Sequence, residues 1–369
     1  MVSFDLSDDQ RMISETVKKF ALNEMRAIYR DCDEKGTIPP EFVSKAWELF
    51  LIPNNIPEAY GGVGEPRSVV TSTIIAEELA YGDFSLAVCA LAPATVVYPL
   101  IEFGTEEQKQ KYLPMFCEEQ FKAAAAALME PRIDFDLPSM KTTAALKGSE
   151  YVINGEKCLV PLAADAQVIL VYAQTDASAG AKGVQAFLVD KGTAGMELGE
   201  REKNMGIKAL DTRKVTFKDC RVPKANRLGG DAGCDTAKLI NYTYIGLAAM
   251  ATGVSKAAFE YARDYAKERE AFGEPIASRQ AIAFMLAEMA IEVDATRLLA
   301  WEAAWRLDKG LDCDREAYLA KQYAAEKVLM ITDRAVQILG GHGYIREHPV
   351  ELWLRNGRGF ATFEGLVTA

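Results

Sequence analysis

The chain holds only two histidines, His342 and His348, and both fall in one short stretch near a Gly-rich turn. That inventory nearly excludes a Ser-His-Asp triad or a metal site built from several imidazoles. The seven cysteines, Cys32, Cys89, Cys117, Cys158, Cys220, Cys234 and Cys313, are scattered and include no C-x-x-C pair. Reduced thiols follow, with neither a disulfide framework nor a zinc site. Three other features have plain readings when taken alone. Glu364, in Phe363-Glu-Gly365, reads as a solvated acid, Arg269, in Lys267-Glu-Arg-Glu270, as an exposed charge, and Gly340-Gly341 as a helix C-cap. His342, inside Gly340-Gly-His-Gly343, reads as a structural residue.

Bulk properties narrow the classes further. The 369 residues are 49% hydrophobic and 26% charged, enough for more than one core. The net charge is -11 and no dense Lys/Arg block occurs, which argues against nucleic acid as a partner. No uninterrupted apolar run nears the roughly 20 residues of a membrane helix. Met1-Val-Ser-Phe-Asp5 lacks a basic region followed by an apolar one, so the expectation is a cytoplasmic protein, or one already processed, without a membrane partner.

Three regions must position any site. Residues 1–121 read as helical, with capping boxes at Ser7-Asp-Asp-Gln10 and Thr105-Glu-Glu-Gln108 and a Pro/Gly-rich loop from Pro53 to Gly64. Residues 122–230 carry strand signals: Gln167 to Ala173, Val184 to Asp190 and Lys214 to Lys218, with Asn154-Gly155 predicting a tight hairpin. Residues 231–369 return to helical spacing over Tyr242 to Glu268, Arg279 to Leu307 and Tyr318 to Leu339. The predicted fold class is α+β, mainly α: a helical domain, a β-domain and a helical bundle.

This order, with several motifs, resembles the acyl-CoA dehydrogenases over essentially the whole chain. The motifs are Ile56-Pro-Glu-Ala-Tyr-Gly-Gly62, Gly104-Thr-Glu-Glu-Gln108, Asn204-Met-Gly206, Arg269-Glu-Ala-Phe-Gly273, Gln337-Ile-Leu-Gly-Gly341, Arg355 and Phe363-Glu-Gly365. The resemblance implies a middle β-barrel domain, a C-terminal four-helix bundle, FAD as cofactor and an acyl-CoA substrate. It makes Glu364 the base that takes the α proton while the β hydrogen passes as hydride to flavin N5. The other position where relatives place the carboxylate is Thr243 here, which cannot serve. Arg269, Phe272, Gln280, Gln337, Gly340 and Gly341 match the positions that hold the FAD of a neighbouring subunit. Phe363, Asn241 and Tyr244 match positions near the acyl-CoA. The resemblance further implies an electron-transferring flavoprotein as electron acceptor, and a homotetramer or a hetero-oligomer with a homologous subunit.

The flavin-ring side departs from the family pattern. Where the family has TEPGAGSD, this chain has Met129-Glu-Pro-Arg-Ile-Asp-Phe-Asp136, so Phe135 stands in the cofactor and substrate region in place of a serine. Where the family has W-I-T or W-I-S, this chain has Leu159-Val-Pro161, and proline offers neither a hydroxyl nor an N–H. The expected function is therefore FAD-dependent α,β-desaturation of an acyl-CoA. The alternatives are a hetero-oligomer subunit that completes a partner's FAD site while its own flavin pocket is degenerate, and a non-redox acyl-CoA-binding protein.

Overall fold

The structure, a computed structural model, describes residues 5–369; Met1-Val-Ser-Phe4 lie outside the described residues. Both predicted capping boxes form. The Ser7 hydroxyl accepts the Gln10 N–H at 3.2 Å while the Gln10 side-chain oxygen accepts the Ser7 N–H at 3.1 Å, which opens α1 (Asp8–Phe20). After α2 (Tyr29–Lys35), α3 (Pro40–Trp47), α4 (Val69–Gly82), α5 (Phe84–Leu91) and α6 (Ala94–Phe103), Thr105 and Gln108 repeat the arrangement at α7 (Glu106–Tyr112). The Gln108 amide also donates to the Ala225 and Arg227 carbonyls, each at 2.7 Å, and so ties the helical region to the end of the sheet.

One apolar segment does reach the length of a membrane span. Phe84–Phe103 has a mean hydropathy of 1.9, but 94% of it is buried, and Pro93 divides it between α5 and α6. It is a core element of the helical region, packed against α3 and α4 and against the sheet.

The middle region is a seven-stranded sheet. Its strands are β1 (Ala124–Ala127), β2 (Thr143–Lys147), β3 (Glu150–Pro161), β4 (Val168–Gln174), β5 (Val184–Asp190), β6 (Met196–Arg201) and β7 (Thr212–Pro223). Strand order is β1-β4-β2-β3-β7-β6, with β5 paired to the other side of β4. Every residue of β4 is buried, as expected for a strand covered on both faces.

The expected hairpin at Asn154-Gly155 is a correction. Both residues lie inside β3, and the turn is at Gly148, between the paired residues Lys147 and Glu150. The ladder to β7 shifts register between Ile153 and Gly155, so the pair marks a β-bulge. Gly155 has φ +149°, and a Cβ there would stand 2.6 Å from Thr142 Cα. The same small residue that a tight turn favours is used here for a close backbone approach.

The C-terminal region is a helical bundle of α8 (Thr236–Glu268), α9 (Gln280–Asp308), α10 (Asp314–Leu339) and α12 (Val350–Gly359). A small hairpin, β8 (Glu270–Ala271) and β9 (Glu274–Pro275), joins α8 to α9, and the short α11 (Gly341–Tyr344) joins α10 to α12. One stripe of α10, made of Ala317, Ala320, Ala324, Val328, Ile331 and Ala335, is buried, at the spacing of a single helix face. Lys321 lies inside that stripe and is buried as well.

Candidate active site

Glu364 follows α12 on a short turn whose aromatic residues fix its position. Phe363 is buried and stacks on Phe84 of α5, with ring centroids 5.6 Å apart, and Phe360 lies 4.5 Å from the same Phe84 ring. Gly365 has φ +69°, and a Cβ there would come within 2.8 Å of Leu128 Cβ, just after β1. Glycine is thus required after Glu364 both for its backbone angle and for contact with the sheet. The turn brings the carboxylate between the bundle and the middle region.

Lys321 meets it there, with Nζ 2.6 Å from Glu364 Oε1. Burial pushes the Glu364 pKa up, the Lys321 ammonium pulls it down, and the Asp136 carboxylate adds to the upward push. The net shift is upward, toward the basicity that a proton-abstracting carboxylate needs. Tyr244 of α8 is close to the same group: burial and then the Glu364 charge raise its phenol, and Lys321 Nζ lies 5.7 Å from its ring centroid. The structure therefore places Glu364, Phe363 and Tyr244 in one neighbourhood. Asn241, one turn before Tyr244, is buried and donates to Asp314 Oδ1 at 2.6 Å. Thr243 is buried, and its hydroxyl donates back to the Ile240 carbonyl.

The segment opposite is shaped by charges. Glu130 is buried and accepts the Thr142 N–H at 2.6 Å, the Lys141 N–H at 3.0 Å and Arg132 Nε at 2.9 Å. Lys157 of β3 is fully buried, donates to the Leu128 carbonyl at 2.8 Å and lies 3.5 Å from Glu130 Oε1. Burial opposes ionisation of Glu130, but Lys157 and the backbone donors outweigh it and hold the carboxyl at about 2. Arg132 also reaches the Asp134 carbonyl at 3.2 Å and the Ser139 carbonyl at 2.6 Å, which fastens the loop that carries Phe135 and Asp136. Around the other predicted ring contacts the backbone groups are already used. The Met129 carbonyl accepts the Cys158 N–H at 3.0 Å, and the Leu159 N–H donates to the Glu202 carboxylate at 3.1 Å. Pro161 is buried in register with Thr212.

A second cluster occupies one end of the bundle. A cavity of about 270 Å³ is lined by Tyr265, Arg269, Ile276, Gly340, Gly341 and His342, among others. Arg269 directly follows α8, and no carboxylate pairs with it among the described residues. Space is open where a Cβ would stand on Gly340 or Gly341. Phe272 projects from the β8–β9 tip, 96% exposed at φ +56°, and Gln280 is the exposed first residue of α9. Gln337 is exposed in the last turn of α10. The sequence sets His342 within the Gly340-Gly-His-Gly343 segment and reads it as structural; the structure adds the tyrosine partners of both histidines. Tyr265 Oη is 2.6 Å from His342 Nδ1, Tyr261 Oη is 2.7 Å from His348 Nδ1, and the two imidazoles stack at 5.4 Å. Glu364, Met129, Leu159 and Pro161 are not among the residues that line this cavity.

Residues 7–120, 125–220 and 235–366 match, in order, the N-terminal, middle and C-terminal domains of acyl-CoA dehydrogenases. The chain belongs to the acyl-CoA dehydrogenase family. It is 35% identical over 367 residues to the short-chain specific acyl-CoA dehydrogenase of Clostridium acetobutylicum, covering 99% of this chain and 96% of that one. Its fold is similar to that of butyryl-CoA dehydrogenase from Megasphaera elsdenii, with TM-score 0.89, 32% identity, and 99% and 96% of the two chains covered. It is also similar to the FAD complex of PigA, with TM-score 0.90, 26% identity, and 99% and 96% covered. The family consists of oxidoreductases that act on CH–CH groups and use FAD.

The residues fit the phosphate-bearing end of such a cofactor. Arg269 offers a planar donor set without a competing carboxylate among the described residues, and the two glycines leave room for close approach. At the positions expected near the ring, Met129, Leu159 and Pro161 offer apolar side chains, and the Met129 carbonyl and Leu159 N–H are already hydrogen-bonded. Lys321 is the site residue that sequence reasoning missed. Its signal was a lysine at a core position of the α10 stripe, three residues before Ala324 and one after Ala320.

Proposed function

We propose that this chain is an FAD-dependent acyl-CoA dehydrogenase that desaturates a short-chain acyl-CoA, with Glu364 as the base. The observation that carries the reading is the half-buried Glu364 carboxylate, fixed between Lys321, Tyr244 and the middle region. Acting on the α carbon, Glu364 accepts a proton as the C–H bond breaks, and the electron pair moves toward the thioester carbonyl. Its raised pKa favours that transfer over what a solvated carboxylate achieves. Phe363 and Tyr244 flank the acyl group, and the loop carrying Phe135 and Asp136 closes the opposite side. FAD held there would supply the hydride acceptor for the β hydrogen. Met129, Phe135, Leu159 and Pro161 would contact its ring, and Arg269, Phe272, Gln280, Gln337, Gly340 and Gly341 would hold the other end of the FAD seated in a neighbouring subunit. An electron-transferring flavoprotein in the cytoplasm would be the electron acceptor.

This division of the cofactor requires an oligomer. Phe284, Ile291, Leu298 and Trp305 are exposed on α9 at seven-residue intervals, a stripe suited to another helix. A second copy of this fold is the occupant we infer, because the Arg269 cavity and the projecting Phe272 form only half of a cofactor site. The replaced ring-side motifs favour a second reading, in which that copy is a homologous flavin-bearing subunit and this chain lacks its own flavin.

The test is the visible spectrum of the purified protein. Near-stoichiometric flavin absorbance that bleaches anaerobically with butyryl-CoA supports the dehydrogenase. Colourless protein that stays apo with added FAD, yet binds a homologous flavoprotein subunit, supports the second reading. Arg269→Ala is expected to lose FAD from whichever subunit pairs with this chain, and unchanged occupancy contradicts the half-site assignment.

A further inference from the structure

We propose that Lys321 is the positioning residue for Glu364, aiming its carboxylate and holding it ionised for proton abstraction. The inference rests on Glu364 being the base. The geometry is specific. Lys321 comes from α10 within a stripe of alanines, whose small side chains leave room for its stem. Its side chain is 5% exposed, and its ammonium has one carboxylate partner among the described residues, Glu364 Oε1. Glu364 itself keeps 17% exposure, and its Oε2 makes no hydrogen bond among the described residues. One oxygen is therefore fastened and the other is left for the α proton.

Stability does not account for a lysine at this position. Its apolar neighbours would be served better by a methionine or leucine, and a buried ion pair is commonly no more stabilising than a hydrophobic pair of equal volume. A role in setting the state of Glu364 does account for it. The charged and titratable groups that face the carboxylate are Lys321 from α10, Tyr244 from α8 and Asp136 from the loop after β1. Burial and Asp136 both favour the protonated acid, and Lys321 alone favours the carboxylate. A protonated Glu364 has no charge with which to abstract a proton. Lys321 thereby offsets the cost of the buried site without quenching the base.

The step balances simply. The α C–H bond breaks, an O–H bond forms at Glu364 Oε2, and the electron pair stays with the thioester enolate. Lys321 keeps its proton throughout and faces a neutral acid once the transfer is complete. Lysine is thus ground-state support for the carboxylate, and its loss shows as a shift in pH dependence before it shows as a loss of maximal rate.

The experiment follows α-proton exchange of butyryl-CoA in deuterated buffer by NMR, as a function of pH, for the oligomeric protein. The acidic limb of the wild-type profile reports ionisation of Glu364. Lys321→Met is expected to move that limb upward by about one to three pH units, the range for loss of an adjacent opposite charge. On the wild-type limb that shift lowers exchange at least about tenfold, and Lys321→Arg restores most of it. A folded Lys321→Met whose profile coincides with wild type overturns the proposal. If Lys321→Met does not fold, Lys321→Gln takes its place. If neither folds, difference infrared spectra of the wild type decide, with the Glu364 band assigned by its absence in Glu364→Gln. A carboxyl still protonated at neutral pH overturns the proposal, and an ionised one supports it. Glu364→Gln separates the two claims: unchanged exchange there refutes the base, whereas abolished exchange with an unshifted Lys321→Met profile refutes only the role of Lys321.

Discussion

Removing the buried ammonium of Lys157 should unfasten the segment that faces Glu364. In Lys157→Met the stem volume is kept and the charge is lost. The Glu130 carboxylate then remains buried, 3% exposed, without its partner at 3.5 Å. Breaking a buried pair from one side costs about 3–5 kcal/mol. Arg132, at 2.9 Å from Glu130, and the two backbone donors still share the charge, so the lower end applies. Losing the 2.8 Å bond to the Leu128 carbonyl adds about 1 kcal/mol for an unsatisfied acceptor. The expected loss is about 4 kcal/mol, read as a lower urea midpoint at constant slope. Glu130→Gln in the same background should recover part of it, because the uncompensated charge is gone. A Lys157→Met protein within about 1 kcal/mol of wild type, or a double variant whose losses simply add, would refute this reasoning.

Other consequences follow from single contacts. Gly365→Ala forces a left-handed angle costing about 1–2 kcal/mol and sets a methyl 2.8 Å from Leu128 Cβ, so Glu364 moves. Exchange of butyryl-CoA should fall by about 10²-fold, more than stability does, and an unchanged exchange rate would contradict the placement. Asp83 caps α5 by accepting the Leu86 N–H, and burial raises its carboxyl to about 6. The folded state therefore binds this proton more tightly than the unfolded chain. The resulting stability, about 3 kcal/mol, is full below about pH 4 and is lost as pH rises through about 6. Asp83→Asn keeps the cap and should flatten that slope in denaturation curves; a slope equal to wild type contradicts it. Ile291→Glu places a charge in the exposed α9 stripe and should lower the assembled mass seen by light scattering, whereas an unchanged mass argues against that interface.

Local chemistry was legible in the sequence, and long-range chemistry was less so. Ser7 with Gln10 and Thr105 with Gln108 were readable because each capping box closes within four residues. The buried run of β4 was readable from its continuous apolar residues, and α10 from its helical spacing. Asn154-Gly155 misled because a glycine that can turn a chain can equally seat a bulge against Thr142. The stack of Phe363 on Phe84, the pairing of His342 with Tyr265 and the reach of Lys321 to Glu364 join distant parts of the chain. No spacing rule announces such contacts. Resemblance supplied Glu364 and Arg269, and the structure supplied what surrounds them. One is an ion-paired carboxylate between two regions, and the other is an exposed cation beside two glycines, with no carboxylate partner among the described residues.

The most direct measurement compares α-proton exchange of butyryl-CoA by the wild type and by Glu364→Gln, with folding and flavin content matched. Glutamine keeps the size of the side chain and removes the charge that Lys321 holds at 2.6 Å. The account predicts exchange in the wild type and none above background in the variant. Exchange retained by Glu364→Gln would contradict it and place the base elsewhere in the chain.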